Sequence, residues 1–191
     1  MSPSKTSHEA SQSDPISPAA ALMAGKKVAP DATLLLEQEH REVEGYFAAY
    51  EAASDKKVKL RLIERICLDL QAHTTLEKEI LYPVAREATG EDALLDHAEE
   101  EHAEAKEMVT ELLAAAKAGK TPDQLVTKLR KAVEEHVEEE EQKLFPELRE
   151  ADLDLYALGR RLAARRPEVF GKLTGKPVPP QPEFKDYDGR M

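Results

Sequence analysis

Four long segments of the chain repeat apolar residues at steps of three and four. The first, from about Asp31 to Ala53, carries Leu36, Val43, Phe47 and Tyr50. The second, from about Lys56 to Ala88, carries Ile63, Ile66, Leu70, Ile80 and Val84. The third, from about Glu91 to Ala118, carries Leu95, Ala98, Ala105, Val109, Leu112 and Ala116. The fourth, from about Thr121 to Glu150, carries Leu125, Leu129, Val133, Leu144 and Leu148. A residue on an α-helix turns by about 100°, so these spacings hold each set on one face. The segments therefore predict four amphipathic helices. Asp31 is placed to cap the first. Ser54-Asp55, Thr89-Gly90 and Gly119 mark the breaks, and Thr121-Pro122 opens the fourth. A shorter fifth segment runs from Asp152 to about Arg166, with Leu155, Leu158 and Leu162 on one side and Pro167 as its expected stop. Such short connections force antiparallel neighbours. The expected fold is all-α: an antiparallel up-down-up-down four-helix bundle with a short fifth helix and disordered termini.

Polar residues interrupt each stripe without leaving it. His40 fills the gap in the first stripe, His73 and Glu77 in the second, His102 in the third, His136 and Glu140 in the fourth. Two of these interruptions are one phrase written twice. "HTTLEKEILYP" begins at His73 and "HVEEEEQKLFP" at His136, so that His73, Glu77, Leu81, Tyr82 and Pro83 match His136, Glu140, Leu144, Phe145 and Pro146. His40 and His102 stand in the same relation between the first and third helices. In an antiparallel bundle all six polar residues lie about 13–23 Å from one end, at about 1.5 Å per residue. They are expected to converge on one level of the core. His97 differs: its three- and four-step neighbours are Glu100, Glu101 and Glu104, which reads as a solvated face. The run Glu138 to Glu141 reads the same way, apart from Glu140.

Composition narrows the partners. The 191 residues carry 34% charged and 5% aromatic side chains, and the net charge of -11 argues against nucleic-acid binding, since phosphates call for Lys and Arg. The longest apolar run near the start, Ala19 to Ala24, is too short to span a membrane. The single cysteine, Cys67, leaves no disulfide framework and reads as a small core residue. A cytoplasmic protein is the expectation. Residues 1–30, rich in Ser, Pro, Ala and Lys and including His8, read as disordered; 31–170 read as the folded unit; 171–191 read as a proline-containing tail.

Two carboxylates and four imidazoles in an apolar layer need compensation. Hydrogen bonding among themselves is one route, giving a metal-free helical interaction module. Metal is the other, and six donors on four helices favour it. The mixture suits iron, manganese or zinc. The count suits two metals, each with two imidazoles and shared carboxylates, plus a bridging oxo or hydroxo group and an open position.

The segment from about Leu34 to Phe170 resembles the hemerythrin-like, His-His-Glu cation-binding domain. The residues that carry the resemblance are "LLLEQEHREVEGYF", "HTTLEKEILYP", "EEHAEAKEMVTEL" and "HVEEEEQKLFP". It implies metal ligation by His40, His73, Glu77, His102, His136 and Glu140, and two non-haem iron ions as cofactor. It implies small-molecule partners: O2, H2O2 or NO. Oxygen-carrying members use two histidines four apart on the third helix; here the positions four from His102 are Ala98 and Lys106. That departure points toward sensing, iron binding or reaction rather than reversible carriage. The rival is a ferritin-like di-iron oxidase using Glu37-His40 and Glu99-His102 with Glu77 and Glu140. Tyr82 is a candidate hydrogen-bond donor to the site. Pro83 and Pro146 are expected to loosen their helices, and Arg160, Arg161, Arg165 and Arg166 to lie on the acidic helices or face a partner.

Overall fold

The Asp31 carboxylate accepts hydrogen bonds from the Thr33 and Leu34 N–H groups and starts α1 (Ala32–Ala52). This satisfies donors that a helix N-terminus otherwise leaves free. Asp55 does the same for α2 (Lys56–Leu76) through the Val58 N–H. The computed structural model describes residues 31–176, and among these no strand occurs. The segments 1–30, with His8, and 177–191 lie outside the described residues.

After α2 come a π-helical turn, π1 (Glu77–Leu81), and α3 (Tyr82–Thr89), closed by Gly90 at φ 72°. Next are α4 (Asp92–Lys117) and α5 (Asp123–Glu139). A second π turn, π2 (Glu140–Leu144), leads into α6 (Phe145–Glu150), and α7 (Leu155–Thr174) is last. The start of α5 falls later than Thr121. Pro122 holds the capping position, and its carbonyl accepts from the Leu125 and Val126 N–H groups.

The two prolines act through the π turns. The Tyr82 N–H bonds to the Glu77 carbonyl, and the Phe145 N–H to the Glu140 carbonyl, each five residues back. Pro83 and Pro146 stand in the first turns of α3 and α6. Proline gives no N–H and crowds the carbonyl four residues earlier, so the α register is not continued across it; a wider turn takes up the extra residue. The widening begins at the two glutamates of the repeated phrase and rotates the faces of α3 and α6 relative to the helices before them. Val84, expected on the stripe, is only half-buried, while Leu81, Tyr82 and Ala85 are buried.

α1 packs against α2, α5 and α7; α4 packs against α2 and α5. Arg149 on α6 reaches Thr33 and Glu37 at the start of α1. At the far end of α1, the Tyr50 hydroxyl donates to Asp123 at the start of α5. The apolar core has two clusters. One gathers Leu36, Leu76, Leu95, Leu144 and Leu162; the other gathers Phe47, Ile63, Ile66, Leu112 and Leu129. His40 on α1 and His102 on α4 lie between them in sequence, as does Glu140 between Val137 and Leu144. Cys67 is fully buried in the second cluster, and burial pushes its thiol well up, so it packs as an inert apolar group.

The fifth helix corrects the expectation. α7 is long, runs through Pro167, and takes in residues 171–174, which read from sequence as the start of a tail. An interior proline costs about 3 kcal/mol. Past it, Val169 is buried and Phe170 packs on the first cluster. Full burial of Val169, at about 1.5–3 kcal/mol, together with the partial burial of Phe170, offsets that cost.

Candidate metal centre

The structure brings all six expected residues together. His40 Nε2 lies 3.1 Å from His73 Nε2, and His102 Nε2 lies 3.0 Å from His136 Nε2. Glu77 stands between the two pairs: its Oε1 is 2.9 Å from His73 Nε2 and its Oε2 is 3.3 Å from His102 Nε2. Glu140 Oε2 is 3.6 Å from both His40 Nε2 and His136 Nε2. The donor atoms of His40, His73, Glu77 and Glu140 fall within 4.8 Å of one another, as do those of Glu77, His102 and His136. Glu77 belongs to both groups.

Behind the imidazoles sits a ring of carboxylates. Glu141 Oε1 is 2.8 Å from His40 Nδ1, Glu39 Oε2 is 2.9 Å from His73 Nδ1, and Glu101 Oε2 is 2.9 Å from His136 Nδ1. An ionised carboxylate only accepts, so in each pair the Nδ1–H donates and the Nε2 lone pair is aimed inward. The Arg166 guanidinium on α7 lies 2.8 Å from the other oxygen of Glu39. Glu101 and Glu141, read from sequence as solvated, are thus part of the site. A signal existed for Glu101 but not for Glu141: "EH" occurs at Glu39-His40 and again 62 residues on at Glu101-His102, and each of these glutamates serves the histidine of the next helix.

Two rings close the cluster. Phe145 stacks on His40 at 6.0 Å between centroids, and Tyr82 stacks on His102 at 5.6 Å. The Tyr82 hydroxyl donates to Glu140 Oε1 at 3.0 Å, which makes Tyr82 the donor the sequence suggested. Burial, then the charges of Glu77 and Glu140, hold its phenol well above the usual range, so it stays protonated. His97 remains outside: its side chain is 54% exposed and faces Glu101 and Glu139. Glu37 and Glu99, required by the ferritin-like alternative, are engaged by Arg149 and by Arg86.

The electrostatics show what the cluster lacks. Burial, then His73, depresses His40 far below the usual imidazole value, and burial takes His102 down to about 4. Burial also opposes charge on His73 and His136, but the facing carboxylates, chiefly Glu77 and Glu140 respectively, outweigh it and raise both. Burial and the neighbouring Glu77 charge raise Glu140 to about 8, while Glu77 is held low against its own burial by His73. In each pair one imidazole is thus pushed down and the other up, and the two inward nitrogens face a place that a cation fits. Both oxygens of Glu77 and Oε2 of Glu140 are buried without a hydrogen-bond partner. Orphaned carboxylate oxygens facing paired imidazole nitrogens are the donor set of a hard-to-borderline divalent or trivalent metal.

Such a centre defines a helical metal-binding protein. Residues 31–148 match the hemerythrin HHE cation binding domain, and the chain belongs to that family. Neither a curated protein nor a solved structure matches the chain. No helix among the described residues is long and apolar enough to cross a membrane.

Proposed function

We propose that this chain is a cytoplasmic dinuclear non-haem iron protein that meets O2, H2O2 or NO, with His40, His73, Glu77, His102, His136 and Glu140 as ligands. Its working unit is an antiparallel up-down-up-down four-helix bundle spanning 31–170, a direction of packing supported by the Arg149–Thr33 and Tyr50–Asp123 bonds at opposite ends of α1. The observation that carries the reading is the pairing of inward Nε2 atoms 3.1 and 3.0 Å apart beside three partnerless carboxylate oxygens. Lone pairs and anionic oxygens at that spacing need cations between them.

Bound iron supplies electron transfer and an open coordination position to a small oxidant. The chain supplies the rest. Glu39, Glu101 and Glu141 fix the tautomers of three ligands and raise their basicity. The apolar clusters limit water. Tyr82 offers a neutral O–H 3.0 Å from Glu140 and 3.5 Å from His102, placed to hydrogen-bond an incoming oxygen species.

Reaction is favoured over reversible carriage because Ala98 and Lys106 leave the third helix without a second imidazole at the spacing of the carriers. Elemental analysis after anaerobic iron loading is expected to give about two irons per chain, with an optical band of a bridged ferric pair on oxidation. The reduced protein, exposed to air and then degassed, is expected to stay oxidised. Recovery of the reduced spectrum over repeated cycles would replace this reading with an oxygen store.

A further inference from the structure

The repeat is not perfect where it meets His102. The offset of 63 residues that pairs Glu77 with Glu140 also pairs Lys78 with Glu141, and the offset of 62 that pairs His40 with His102 pairs Arg41 with Ala103. On the α1–α5 side Glu141 takes the His40 Nδ1–H at 2.8 Å and is ion-paired with Arg41, which closes the gap between the helices. On the α2–α4 side neither element of that closure is present. Lys78 turns to Glu99 at 3.7 Å and its side chain is 71% exposed. His102 has no carboxylate on Nδ1 among the described residues. Its side chain is 13% exposed against 3% for His40.

The α2–α4 side is also open. A groove of about 610 Å³ lies there, lined in part by Gln71, Thr74, Lys78, His102 and Lys106.

Resting on the di-metal reading above, we infer that the two halves hold metal unequally and that the Lys78/Glu141 pair sets the difference. The His40/His73 half is the tight one. The His102/His136 half is weak, and its ion enters and leaves through the α2–α4 groove. A carboxylate behind a ligating imidazole orients the ring and strengthens the lone pair, an effect worth roughly 10–100-fold in affinity. Glu141 supplies it to His40; a lysine in the equivalent place cannot accept the proton and adds a positive charge near the incoming cation.

The test is a titration of metal-free full-length protein with cobalt(II), followed by its visible absorption and by competition with a chromophoric chelator. Two classes of one ion each are expected, separated by at least roughly 10-fold. Lys78→Glu is expected to tighten the weak class roughly 10–100-fold and leave the tight one within a few-fold. Lys78→Gln, which removes the charge but offers only a neutral amide oxygen as acceptor, is expected to recover less. Glu141→Gln is expected to weaken the tight class instead, and His136→Ala to abolish the weak class while leaving the tight one. Circular dichroism checks that each variant is folded; Lys78 is exposed, so its changes are not expected to disturb the core. Two equal classes in the unaltered protein, or a Lys78→Glu variant that tightens the class lost in His40→Ala, would overturn this inference and leave the di-metal reading standing. No bound cobalt at all would overturn both.

Discussion

Metal removal is the perturbation with the largest expected effect on the fold. Three buried carboxylate oxygens without hydrogen-bond partners face four imidazoles, so the ligand-free core keeps its layer of charge only by holding protons. A metal that binds the folded chain and not the unfolded one adds about 4 kcal/mol per site at a free concentration 1,000 times its dissociation constant. For a domain of this size 1 kcal/mol moves Tm by about 2–4 °C, so one filled site adds about 8–16 °C and two add about twice that. The assay is a set of thermal melts by circular dichroism on chelator-treated protein with iron(II) added stepwise under anaerobic conditions. Tm should climb with free metal and continue to climb past saturation, as mass action requires. A Tm indifferent to metal, in protein that remains helical, would mean that protons already satisfy the cluster and that no metal is needed there.

Particular residues carry three more expected outcomes. His102→Ala is expected to lose at least one metal and most of the optical spectrum, while His97→Ala keeps both, read by elemental analysis; the reverse would show the register of α4 to be wrong. Metal binding is expected to release protons and to tighten as pH rises from about 6 to 8. Glu140, raised to about 8, holds a proton through most of that range, and His73 and His136, also raised, hold theirs to higher pH than a free imidazole; the cation must displace these protons, and heats measured in buffers of different ionisation enthalpy report the release. Tyr82→Phe is expected to keep the fold, because Phe145 occupies the matching place in the repeat, and to cost about 1–3 kcal/mol in urea denaturation through the lost bond to Glu140.

The candidate ligands were legible because burial and polarity conflicted in plain view. A histidine or glutamate that continues a stripe such as Leu36–His40–Val43 must face the core, and the repeat from His73 to Pro146 set four such conflicts in register. Glu39, Glu101 and Glu141 were not legible by that route. They sit a residue beside the stripes, where a glutamate is as easily solvated, and only the neighbouring helix supplies the imidazole each one accepts from. The burial pattern after Glu77 was not legible either, since a stripe drawn at α-helical spacing does not survive a π turn.

What the sequence alone determined is the helical periodicity, the breaks at Gly90 and Gly119, and the six inward donors, because all of these depend on spacing along one chain. The tertiary structure decided the rest. It carried α7 through Pro167, because Val169 and Phe170 find a core to enter, and no local rule contains that burial. It joined Arg166, Glu39 and His73 into one line from the surface to the centre. It also made the two halves of a repeated sequence unequal: Lys78 and Glu141 differ by charge in the sequence, but only packing shows that one faces an open groove and the other seals a histidine in place.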